Sequence, residues 1–253
     1  MTKKPISAPP WVVAAIVLAA VLVACSTSDD GTPVGGQYKS MDRGPAATEA
    51  ELAALWLSGE LVAPAELYET IKADLADIRT VHVDSITELG TEFEPPWVPS
   101  QIIVGFTEDG VRKLRSGDFP EFDELNDLFH LAELDTKLTW ITPSAVLTFD
   151  GRQHPSRIAV PYRALVDIVY AEPNAYSGDW SNVYPWHLDG GMSYLWRDAW
   201  GDCPSGCINS RFWYFRVTDS GVEYVGSFDY HVDPEPPWWN EAREAFDRYR
   251  SRW

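Results

Sequence analysis

Between Gln101 and Ala171 the apolar pattern changes period in the order strand, helix, strand, strand, helix, strand, and this order restricts the fold more than any other feature of the chain. Ile102-Ile103-Val104-Gly105-Phe106 is apolar on both alternating faces, as a central strand requires. Asp118 stands three residues before Glu121 in a capping-box arrangement, and Phe122, Leu125, Phe129 and Ala132 follow at helical spacing. Leu138 to Ile141 and Ala145 to Phe149 read as two strands joined through Thr142-Pro143-Ser144. A short helix begins near Pro155, with Pro161 placed to break or kink it, and Val166 to Ala171 reads as the last strand. The order β-α-β-β-α-β folds as a four-stranded antiparallel sheet with two helices on one face.

The flanks extend this ferredoxin-like unit into a larger α+β protein. Glu49 to Leu57 is short and apolar on one side. Pro64 opens a second helix, with Leu67, Tyr68, Ile71, Leu75 and Ile78 at helical spacing, so an N-terminal helical hairpin is predicted. Asp84 to Ser100, with Pro95, Pro96 and Pro99, reads as a connector. Beyond Asn174 the chain is aromatic, with candidate strands Met192 to Trp200, Arg211 to Val217 and Val222 to Phe228. Thr218-Asp219-Ser220-Gly221 joins the last two as a hairpin loop. Large rings occupy both faces of Arg211 to Val217, so one side is buried and the other is covered or faces a ligand, with core packing the preferred reading. Pro237 starts a C-terminal helix whose Trp239, Ala242, Phe246 and Tyr249 form one apolar side. Arg243, Arg248, Arg250 and Arg252 are placed favourably toward its C-terminal end. The predicted organisation is a signal segment at 1–24, a tether at 25–47, the helical hairpin and connector at 48–94, the ferredoxin-like unit at 95–175 and an antiparallel aromatic β-meander with the terminal helix at 176–253.

The N-terminal segment defines a destination. Lys3 and Lys4 precede an uncharged apolar run, Trp11 to Ala24, which is shorter than the roughly 20 residues a permanent membrane helix needs. Leu22-Val23-Ala24-Cys25 resembles the lipobox of bacterial lipoproteins. That resemblance implies cleavage before Cys25, acylation of its sulfur, and an extracytoplasmic protein held to the cell envelope by lipid. Ser26 to Gly44, rich in Ser, Thr, Asp, Gly and Pro, then reads as a flexible tether. Removing residues 1–24, which carry two Lys and no acid, moves the formal charge from −18 to −20. So acidic a surface repels phosphate backbones and anionic lipid headgroups, which argues against nucleic-acid binding and against a polybasic membrane contact.

With Cys25 assigned to lipid, Cys203 and Cys207 remain as a pair around Pro204-Ser205-Gly206. A local disulfide is predicted there, because a two-thiolate metal site lacks nearby His or Cys ligands and the spacing is not the C-x-x-C of redox sites.

Ile102 to Phe106 together with Ile168-Val169-Tyr170-Ala171-Glu172-Pro173-Asn174 resembles the prodomains of subtilisin-like proteases, which are inhibitors and folding chaperones. The resemblance implies a fold and an engaging edge or tail, not an activity. Only 79 residues follow Asn174, too few for a protease domain, and that family's catalytic Asp, His and Ser motifs are absent. Trp200 to Ile208 with the aromatic strand after it is similar to segments of secreted bacterial proteins, and implies no activity either.

No catalytic constellation is legible. His82, His130, His154, His187 and His231 are scattered, and no H-E-x-x-H, G-x-S-x-G, Walker or G-x-G-x-x-G motif occurs. His187 with Asp189, and Asp229 with His231 and Asp233, are the local His/carboxylate groupings that could seed a metal site, and ordinary surface residues explain them. Asp118, Glu121, Asp123, Glu124 and Asp127 spread around helix faces as a solvated surface rather than a calcium site. The sequence therefore predicts no catalytic, cofactor-binding or metal residues. The leading expectation is a noncatalytic, envelope-anchored interaction module with an envelope protein as partner. The alternatives are a stand-alone prodomain-like inhibitor or chaperone, and a glycan or cell-wall binder or hydrolase, which a planar row of exposed Trp would favour.

Overall fold

The structure, a computed structural model, describes residues 45–81, 91–137, 142–176 and 178–250. The fold is α+β: helices α1 (Pro45–Ser58) and α2 (Ala65–Ile78), then β1 (Trp97–Phe106), α3 (Glu108–Ser116), α4 (Pro120–Leu128), β2 (Leu131–Lys137), β3 (Ser144–Phe149), α5 (Pro155–Arg163) and β4 (Ile168–Ala175). The remaining elements are β5 (Asn182–Leu188), β6 (Gly191–Trp200), β7 (Asn209–Thr218), β8 (Gly221–Asp229) and α6 (Trp239–Arg250). They divide into two compact units. One comprises Ser100–Pro173, and the other joins the segment ending at Pro99 to Asn174–Trp253.

In the first unit the sheet order is β2-β3-β1-β4, the ferredoxin-like order, with β3 antiparallel to both β1 and β2. Ile102, Val104 and Phe106 of β1 and Ala145, Leu147 and Phe149 of β3 are buried, and Phe122 of α4 and Tyr162 of α5 meet edge-to-face at 5.5 Å. Gly105 is required by close approach. A Cβ there would lie 2.2 Å from a ring carbon of Tyr170 on β4, so any side chain would expel that ring.

Several boundaries differ from the sequence reading, each for a local reason. Asp118 does not cap a helix, because its amide donates to Lys113 O and completes the end of α3, an element the apolar pattern does not announce. The capped start is Thr107, whose hydroxyl accepts from the Gly110 amide at 3.0 Å. Helix α4 instead begins at Pro120, whose ring presets φ for a first helical position. Ala132 lies in β2 rather than in that helix. The predicted strand Leu138 to Ile141 falls outside the described residues, as do Cys25 and His82. Pro161 does not stop α5, which runs two residues further to Arg163. Val166 precedes β4 and is exposed, and Pro99 lies inside β1, although pairing with β3 starts only at Gln101.

The second unit is an antiparallel meander, β5-β6-β7-β8, with both faces covered. On one face α2 meets β6, where the Tyr194 hydroxyl donates to Asp74 Oδ2 at 2.7 Å and Arg79 lies over the Trp196 ring. On the other face Phe246 and Tyr249 of α6 stack edge-on to Tyr184, and Trp239 packs on Phe212 at 4.7 Å. The two ring-bearing faces read from Arg211 to Val217 are thus both core. Helix α1 is buried nearly all round instead of on one side. Its Glu49 tolerates that burial by accepting from Arg79 and from the Phe93 amide. Strand β5, absent from the sequence reading, carries Pro185, which only an edge strand accommodates. It turns into β6 through Asp189-Gly190, with Gly190 at φ 81°.

Candidate functional site

The most organised polar cluster lies in the meander unit, where the segment before β5 and the turn after β6 meet. Cys203 and Cys207 form the predicted disulfide, closing a turn that opens with a short 3-10 segment, Cys203–Ser205. A loop this short limits the entropic gain to about 2 kcal/mol, so the bond chiefly fixes local shape.

Asp179 ties that turn to the sheet at both ends. Its amide donates to Cys203 O at 2.9 Å, and its carboxylate accepts from the Cys207 amide at 3.2 Å. The same carboxylate receives both terminal nitrogens of Arg197, at 2.5 and 2.7 Å. Arg197 projects from β6, is 3% exposed, and also donates through Nε to Ser210 Oγ and through Nη1 to Trp180 O. Its guanidinium stacks over the Phe246 ring at 5.3 Å. Burial opposes its charge, but the hydrogen bonds and charge of Asp179, with help from Tyr184, raise its pKa above the ordinary arginine value.

Beside this frame is an open recess of about 380 Å³ lined by Tyr176, Asp179, Trp180, Asn182, Tyr184 and Tyr249, with Pro204, Ser205 and Gly206 of the disulfide turn as a further wall. Tyr176, 42% exposed, meets Trp180 edge-on at the rim. Asn182 accepts from the Glu94 and Val183 amides and donates to Glu94 O and to the Tyr249 hydroxyl, so its amide is used on both sides. Tyr249 in turn donates to Glu94 O. Burial, followed by the nearby Tyr184, pushes the Tyr249 hydroxyl far above the usual tyrosine range. Burial and then Glu94 raise Tyr176, so both remain protonated donors at neutral pH. The recess therefore has aromatic walls and a polar floor whose charged and amide groups are spent on holding the frame.

The residues singled out in the sequence are placed elsewhere. His187 is exposed on β5. Asp229 pairs with Arg211 at 3.2 Å and its amide donates to Asp233, which closes the turn carrying His231. His154 caps α5, its ring nitrogen accepting from the Ser156 amide at 3.2 Å. Among the described residues no group of three or more His, Cys, Asp or Glu could hold a metal ion. Of the nine tryptophans described, only Trp200 is exposed, so these residues present no planar Trp row. Sequence reasoning missed Tyr176, Asp179, Trp180, Asn182, Tyr184, Arg197 and Tyr249. The available signal was Arg197 itself, a lone cation inside the aromatic run Met192 to Trp200, which needs a buried partner. No protein-family model, curated protein or solved structure matches the chain.

Proposed function

We propose that the protein is a noncatalytic lipoprotein of the bacterial envelope, anchored through acylated Cys25, whose folded part binds an envelope partner at the recess beside the Cys203–Cys207 turn. The observation that supports binding over catalysis is the commitment of the recess groups: Asp179 to Arg197 and the disulfide turn, Asn182 and Tyr249 to the Glu94 backbone. A general base or nucleophile needs an uncommitted group at a shifted pKa, whereas aromatic walls on a rigid frame suit recognition. Tethering raises the effective concentration near partners, so a modest surface suffices. No helix among the described residues is long and apolar enough to cross a membrane, and in this reading lipid supplies the attachment.

Two measurements test the reading. Intact-mass analysis of protein extracted from its own envelope should give a chain starting at an acylated Cys25, and Cys25→Ser should leave it unprocessed or released. Unchanged acylation and cleavage in that variant would contradict the anchor. Affinity capture from the same envelope should retain a partner that a folded Tyr176→Ala/Trp180→Ala variant loses; equal recovery by both would contradict the recess.

A further inference from the structure

The rings of the recess beside the disulfide turn set the sign of the group it takes. Four of its lining residues are aromatic, in two nearly perpendicular pairs: Tyr176 and Trp180 at 88° with centroids 6.1 Å apart, and Tyr184 and Tyr249 at 74° and 4.9 Å. The face of an aromatic ring is the negative pole of its quadrupole, so such an assembly attracts a cation and repels an anion. Burial keeps the Tyr176 and Tyr249 hydroxyls protonated, and both rings stay neutral.

The charges around the rings have the same sense. Among the described lining residues there is no Lys, Arg or His. Arg197, the cation of the frame, is balanced by Asp179 and lies over the Phe246 ring, outside that lining. Glu94 is fastened to the recess through its backbone, which bonds Asn182 in both directions and accepts from Tyr249. Its side chain is exposed and makes no ion pair among the described residues, yet its charge lies close enough to oppose ionisation of Tyr176 and Tyr249 alike. In a chain of formal charge −18, this leaves an uncompensated carboxylate beside an aromatic recess.

Hydrogen bonding narrows the cation further. The Asp179 carboxylate already accepts from Arg197 and the Cys207 amide, and the Asn182 amide oxygen from the Glu94 and Val183 amides. A primary ammonium carries N–H donors and would lose hydration here without replacing it. A quaternary ammonium carries none and spreads its charge over apolar methyl groups, which suits ring faces and the Pro204 wall. A phosphate next to that charge would meet Glu94, which favours a cation on an apolar stem over a zwitterionic headgroup. We propose, resting on the reading of this recess as the binding surface, that the group it takes from the envelope partner is a quaternary ammonium cation on an apolar stem.

The test is an NMR titration of the 25–253 chain carrying Cys25→Ser, with ¹⁵N-labelled tryptophan and choline as the probe. The Trp180 indole cross-peak, assigned by its loss in Trp180→Phe or by single-site labelling should that variant not fold, should shift saturably. That of exposed Trp200, outside the lining, should stay in place. The neutral carbon isostere 3,3-dimethylbutan-1-ol and the primary amine ethanolamine should each bind about tenfold more weakly, and phosphocholine more weakly than choline. Tyr176→Ala should weaken choline about fivefold and Glu94→Gln about threefold, the sizes expected for one partly exposed cation–π contact and one solvated charge. Both side chains are exposed, so neither variant threatens the fold. Equal binding of the isostere or of ethanolamine, or full choline affinity in both variants, would overturn the quaternary cation, and phosphocholine binding as tightly as choline would overturn the apolar stem. An unmoved Trp180 peak with the envelope partner still captured through Tyr176 and Trp180 would overturn the cation and keep the recess, whereas no shift and no captured partner would overturn both.

Discussion

Replacing Arg197 with Met should lower the unfolding free energy by about 3–5 kcal/mol, the cost of leaving one partner of a buried ion pair uncompensated. The side chain is 3% exposed, and its removal strands the Asp179 carboxylate, Ser210 Oγ and Trp180 O together. Because Asp179 also holds the Cys207 amide and Cys203 O, the loss reaches the disulfide turn and the recess wall. Asp179→Asn should cost less, since an amide oxygen still accepts from the guanidinium. Arg197→Met/Asp179→Leu should recover part of the single-variant loss, because no buried charge is then left unpaired. Urea unfolding followed by circular dichroism checks all three. A loss below about 1 kcal/mol for Arg197→Met would show that the pair is not a frame element.

Arg79→Met should be nearly as costly at pH 8, and the cost should shrink as the solution is acidified. Glu49 on α1 is 1% exposed, accepts two bonds from Arg79 at 3.0 and 2.7 Å and one from the Phe93 amide at 2.9 Å, and so joins α1, α2 and the segment before β1. Burial raises its pKa above the ordinary 4.5 and outweighs Arg79, which lowers it. Burial likewise raises Asp74, against the bond from Tyr194. A carboxyl raised in the folded state binds its proton there before the unfolded chain does. Unfolding free energy from these groups therefore rises as pH falls through the folded values and levels off below the unfolded ones. In Arg79→Met the Glu49 charge loses its ion-pair partner among the described residues, so the variant should lose about 3–5 kcal/mol at pH 8 and visibly less at pH 5.5. Glu49→Gln should flatten this pH dependence, because the amide keeps an acceptor for Phe93 without a titrating proton. A loss for Arg79→Met that is the same at both pH values would contradict the assignment.

What could be read in the sequence depended on how local the cause was. The strands from Ala145 and from Arg211 and the helix opened at Pro64 announce themselves by period and punctuation, and the Cys203–Cys207 pair lies within one turn, so these elements were legible. Helix α3 was not, because Glu108 to Ser116 offers only Val111 and Leu114 as apolar anchors. Strand β5 was hidden by Pro185, which reads as a breaker until the strand is known to lie at an edge. Most of the recess was invisible for a further reason. Asn182 meets Tyr249 across 67 positions, and Tyr249 meets Glu94 across 155, so no window of sequence contains the arrangement. Arg197, in the frame beside the recess, was missed as well, although one cation in an aromatic strand implies a buried anion and so offered a signal.

The central claim, that the folded part binds a partner at the recess beside the disulfide turn, is tested most directly by site-specific photo-cross-linking in the native envelope. A benzophenone amino acid in place of Tyr176 sits at the rim of the recess, and one in place of Glu223 on β8 serves as an exposed control away from its lining residues. The account predicts a discrete adduct of the lipid-anchored protein from position 176, none from 223, and loss of the 176 adduct when Trp180→Ala is added. Equal labelling from both positions, or an adduct from 223 alone, would contradict it.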